Sequence, residues 1–135
     1  MSPKDSNAPQ FGGECTYKSY DGFASITRIE KTERSRQQAK MPGGPGYEGY
    51  AVSFVISLSE PISEDWARGF VTREHVLTLK NSWHPGERYL KKYGLEIGEE
   101  FPIQLKVITR GTCTPLILEF QTVERGDYFE SEGES

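Results

Sequence analysis

Pro85-Gly86-Glu87-Arg88-Tyr89-Leu90-Lys91-Lys92-Tyr93-Gly94-Leu95 is the stretch on which the reading of the fold turns. Proline suits a first helical position, because its missing N–H is one that a helix start leaves unpaired. Gly94 stands where a left-handed residue closes a helix, and Leu95 beyond it can pack on Leu90. The stretch therefore predicts one short helix over about residues 85–93. Tyr89, Leu90 and Tyr93 would face a core, while Lys91 and Lys92 would lie at the end where the helix dipole favours cations.

The regular elements on either side of this helix read as strands. Upstream, the clearest run is residues 50–58: Val52, Phe54, Ile56 and Leu58 alternate with Ala51, Ser53, Val55 and Ser57, a period of two. A third strand over about residues 70–80 places Val71, His75, Leu77 and Leu79 on one phase. Between the two, residues 59–69 read as a turn or a single helical turn. The first strand covers about residues 20–31. Its apolar residues change parity, Phe23 and Ile29 on one phase and Ala24 and Ile26 on the other, which predicts a bend or bulge. Downstream, Phe101, Ile103, Leu105 and Val107 form the inward face of a fourth strand, and Leu116, Leu118 and Phe120 that of a fifth over about residues 115–123.

Three strands, one short helix and two more strands make the layout of a five-stranded barrel. Over residues 15–123 the chain resembles the oligonucleotide/oligosaccharide-binding (OB) fold. The expected class is mainly β: an OB-like barrel with one short helix between strands three and four. An SH3-like barrel or a small β-sandwich competes, and neither accounts as naturally for that helix.

At 135 residues the chain should form one domain. Residues 1–14 read as a flexible arm, residues 15–123 as the barrel and residues 124–135 as an acidic tail, which should be largely disordered while the rings of Tyr128 and Phe129 fold back onto an apolar patch of the barrel. The net charge of −4 is local, since the five carboxylates of the tail set against Arg125 account for all of it. No apolar run is long enough to span a membrane and the N-terminus lacks the apolar stretch of a signal peptide, so the expected location is cytoplasmic. Cys15 and Cys113 fit no zinc or redox spacing and are expected as free thiols, although the layout makes them neighbours.

In the OB fold the usual ligand surface spans strands two and three, flanked by the loops after strand one and between strands four and five. The resemblance implies a ligand surface built from Lys31, Arg34, Arg36, Lys40, Tyr47, Tyr50 and Arg110, with Trp66 as a further contact residue. Basic side chains that follow phosphates and rings that stack on bases suit a single-stranded nucleic acid. The glycine- and proline-rich connection over residues 32–49 is read as a mobile loop without regular structure. The competing expectation is a protein-interaction module that uses the same surface, or the tail through Tyr128 and Phe129. His75 and His84 lie on different elements, no metal-ligand spacing occurs, and the glycines of residues 43–46 lack the Lys-Ser/Thr that follows a phosphate loop. The expected function is a binding module without cofactor or metal rather than an enzyme.

Overall fold

The computed structural model describes residues 14–128 and Glu130. The arm expected over residues 1–14 lies outside the described residues except for Glu14, as does Phe129. Five antiparallel strands, β1 (Thr16–Glu30), β2 (Ala51–Leu58), β3 (His75–Leu77), β4 (Glu100–Arg110) and β5 (Leu116–Phe120), form one curled half-barrel sheet. Three short helices accompany it: α1 (Glu33–Lys40), α2 (Arg68–Thr72) and α3 (Glu87–Tyr93). The strand order is β3-β2-β1-β4-β5.

The central strand β1 serves both halves of the sheet. Its first part pairs with β4, from Thr16 opposite Arg110 to Ser25 opposite Glu100, and its second part pairs with β2, ending at Glu30 opposite Ala51. The β1–β2 register shifts between Ile26 and Arg28, leaving Thr27 as the extra residue. This bulge explains the parity change: Ala24 and Ile26 are buried before it, Ile29 packs inward after it, and Phe23 stays exposed on the outer face.

One core cluster lies between the sheet and α3, around Val52, Phe54, Leu77, Tyr89, Leu95 and Ile103. A second, smaller one gathers Tyr20, Ile62, Ala67, Leu105 and Val107 nearer the Thr16 end of β1. The helix α3 closes at Gly94, whose φ of 67° is left-handed. The N–H of Leu95 donates to the carbonyl of Leu90 at 2.9 Å, and Leu95 is buried.

Four expectations are corrected. Residues 33–40 are a helix, where a structureless loop was expected. Thr32 caps it, its Oγ1 accepting the Ser35 N–H at 3.1 Å, and Ser35 is buried with its Oγ 3.3 Å from Nδ1 of His84. A side-chain cap and one anchored residue are enough to order a short helix of good formers. The third strand shrinks from residues 70–80 to His75–Leu77. Phe70 and Val71 turn into α2 and pack on the core from there, and the Leu79 N–H leaves the ladder to donate to Trp83 O at 2.9 Å.

Cys15 and Cys113 form a disulfide, with Cα atoms 6.2 Å apart, and are not free thiols. Pairing of β1 with β4 brings the two ends together across 98 residues of sequence. Gly111 makes room for it. Its φ is +103°, and a Cβ there would lie 2.6 Å from Cys15 Sγ. Tyr17 fastens the same turn by donating from its hydroxyl to Thr114 O at 2.8 Å.

Finally, the beginning of the segment expected to be largely disordered is packed, and Tyr128 docks on the core as its aromatic character suggests. Lys80 N–H donates to Arg125 O at 2.9 Å and Tyr89 OH to Glu124 O at 2.6 Å. Asp127 accepts from Lys92 and from Tyr93 OH, and Tyr128 packs on the main core cluster. The Glu130 carboxylate takes the Arg88 and Tyr89 N–H groups at 3.0 and 3.1 Å, capping the start of α3 from 41 and 42 residues away. Net negative charge is thus directed to orphan N–H donors and a lysine, which composition alone does not reveal.

Candidate binding surface

The basic residues after β1 are held by α1 and by the strap that returns to β2. Lys31 Nζ lies 3.0 Å from Glu48 and sits over the Tyr50 ring, 5.4 Å from its centroid. Arg36 pairs with Glu33 one turn away at 3.7 Å. Lys31 beside it holds the Glu48 carboxyl below the ordinary carboxylate range, through a hydrogen bond and then its charge. Exposed pairs of this kind add little to stability, but they cancel the local positive field that a phosphate chain would meet. Arg34 and Lys40 are exposed and make no ion pair among the described residues.

The rings there are also engaged. Tyr47 donates its hydroxyl to the His84 carbonyl at 2.8 Å, and burial pushes its pKa up to about 12, with Glu130 adding to the shift. The Tyr50 N–H donates to Pro85 O at 2.8 Å. His84 itself titrates below its ordinary value, first because it is partly buried and then because Arg34 lies near.

Arg110 and Trp66 are not brought to this group. Arg110 ends β4 opposite Thr16, at the far end of β1 from Lys31. Trp66, 56 % exposed, belongs to the turn Asp65–Ala67, whose Ala67 packs in the second cluster beside Leu105 and Val107. Tyr128 is half-buried on the core. Among the described residues no three His, Cys, Asp or Glu side chains converge to hold a metal ion. No helix there is long and apolar enough to cross a membrane.

A different feature emerges where the sheet ends. The two end strands, β3 and β5, run in the same direction, because each is reached from β1 through two antiparallel steps. The curl of the sheet brings them to face one another across a cleft of about 180 Å³. Phe54, Val76, Leu77, Leu118 and Phe120 supply its apolar lining. Phe120 meets Phe54 edge-on at 5.4 Å, and His75 stacks on Phe54 at 5.5 Å while its Nε2 bonds Phe70 O at 2.6 Å. Leu118 and Phe120 remain only half-buried, since an end strand has no neighbour to cover them. A second hollow of about 240 Å³ continues from it past Lys80, Gln121 and Glu124.

Arg125 lines both hollows. Its Nε donates to Thr78 O at 2.6 Å, and it makes no ion pair among the described residues. None of these cleft residues stands out in the sequence as a site. Arg125 reads there as one charge in an acidic tail, and only the strand order that leaves β3 and β5 at the ends assembles the cleft. Comparison of the chain with family models, curated proteins and solved structures finds no match.

Proposed function

We propose that this chain is a non-enzymatic binding module of the OB-like type, and that its partner is a polypeptide rather than a nucleic acid. The β1–β2, β1–β4 and β4–β5 pairings, with β3 and β5 facing one another, support the OB-like assignment. The observation that carries the polypeptide reading is the pair of open sheet ends, which offer backbone hydrogen-bonding groups and an apolar cleft together. Against a phosphate chain stand the carboxylates that answer Lys31 and Arg36 and the engaged rings of Tyr47 and Tyr50. The disulfide supports an oxidising compartment, in place of the cytoplasm expected from the N-terminal sequence.

The test is titration of a fluorescently labelled oligothymidylate with the full chain at about 50 mM salt, where phosphate contacts are strongest. Fluorescence anisotropy should show no saturable binding in the micromolar range. Saturable binding that falls steeply with added salt, and that is lost in a variant carrying Arg34→Gln and Lys40→Gln, would overturn the polypeptide reading and restore a single-stranded nucleic acid as the ligand.

A further inference from the structure

We infer that the cleft between β3 and β5 takes an extended acidic segment of another protein, added as a strand to the open edge of β5. This rests on the polypeptide-module reading and names the place and the chemistry. Among the described residues β5 has β4 as its one hydrogen-bonded neighbour, so its other edge presents unpaired N–H and C=O groups along the strand. Such an edge is a template for a further strand. β3 forms the opposite wall with three residues and exposes Val76 at 49 %. A strand antiparallel to β5 would continue the antiparallel pattern that every pair in this sheet already follows. Alternate side chains of that strand would then point into the apolar lining at Leu77, Leu118 and Phe120.

Charge selects the kind of strand. The carboxylates of this region are already answered: Glu119 by Lys106 at 3.4 Å, and Glu74 by Arg28 at 2.9 Å and Thr27 at 2.6 Å. Lys80 and Arg125 stand against Glu119 and Glu124 in the lining of the two hollows, and Arg125 is the cation whose charge stays unanswered among the described residues. Arg125 lines the cleft without an ion pair among the described residues, and Lys80 meets Glu124 only at 4.0 Å. Carboxylates on the incoming strand would meet the Arg125 fork, a charge-assisted contact of the stronger class. Neighbouring apolar side chains would fill the cleft.

The probe is a capped nonapeptide of alternating glutamate and valine, titrated into the full oxidised chain and followed by amide chemical shifts. Shifts should concentrate at residues 75–78, 116–121 and 125, and the β5 amides should become slower to exchange. Methylating the peptide's alternate valine nitrogens should weaken binding about tenfold, as should replacing its glutamates by lysines. Arg125→Gln and, separately, Lys80→Glu should each weaken it several-fold. Lys80 is exposed, so its variant keeps the test open even where Arg125→Gln disturbs the contact to Thr78. No binding at millimolar peptide overturns the proposal. So does binding insensitive to N-methylation and to both substitutions. Shifts confined to residues 31–50 also overturn it but leave the polypeptide-module reading standing. That reading itself falls on the oligothymidylate titration.

Discussion

His84 shows how one side chain ties local chemistry to the frame. Its carbonyl receives Tyr47 and its Nδ1 faces the buried Ser35, so ring and backbone together join α1 to the strap before α3. Because its folded pKa is depressed, the unfolded chain binds the proton more readily. Stability should therefore be fully present above the unfolded value near 6.5 and fall as pH drops through it toward the lower folded value. Urea unfolding between about pH 7.5 and 5 should show this slope, and His84→Gln should flatten it. An unchanged slope in the variant would mean that other groups titrate there. Gly111 works at the same scale. Alanine there should destabilise the fold by about 1–3 kcal/mol, read by thermal or urea unfolding, because a left-handed residue and a close sulfur both exclude a Cβ.

At the scale of elements, the two capped helices depend on groups of different origin. The cap of α1 is local: Thr32 supplies the acceptor three residues before the donor. Thr32→Ala should cost about 1 kcal/mol and raise hydrogen exchange over residues 33–40. The cap of α3 is long-range, because Gly86 has no side chain to offer and the Glu130 carboxylate stands in. Glu130→Ala should cost about 0.5–2 kcal/mol and loosen α3 in exchange measurements. Equal exchange in wild type and Glu130→Ala would show that the packing of Tyr89 and Leu95 alone suffices for α3.

For the molecule as a whole, the disulfide closes the frame and the cleft leaves it open. Cys15–Cys113 closes a span of 98 residues, so it restricts the unfolded chain strongly. Replacing both cysteines by serine should lower stability by about 2–5 kcal/mol. A thiol titration of the native protein should count none, rising to two with reductant. Two titratable thiols before reduction would remove the support for an oxidising compartment. The cleft lies along β3 and β5, where a three-residue β3 and, among the described residues, an unpaired β5 edge leave the half-barrel open.

Local signals sufficed for much of the architecture. The alternation at residues 51–58, the inward faces of β4 and the parity change in β1 follow from side-chain period, which each strand carries in its own residues. The stop at Gly94 and Leu95 is likewise local, since it needs only a left-handed residue and the apolar one after it. Five strands in their chain order and the end of α3 follow from such local patterns. Tertiary structure decided the rest, because the deciding partners are far apart in the chain. Ser35 is drawn to His84 and makes a helix of an expected loop, and Phe70 and Val71 leave β3 for α2. Glu130 finds the start of α3, and Cys15 meets Cys113. The cleft belongs to this second group, for its walls come from Phe54, Val76, Leu118 and Arg125, and only the curl of the sheet brings residues so far apart in sequence to face one another.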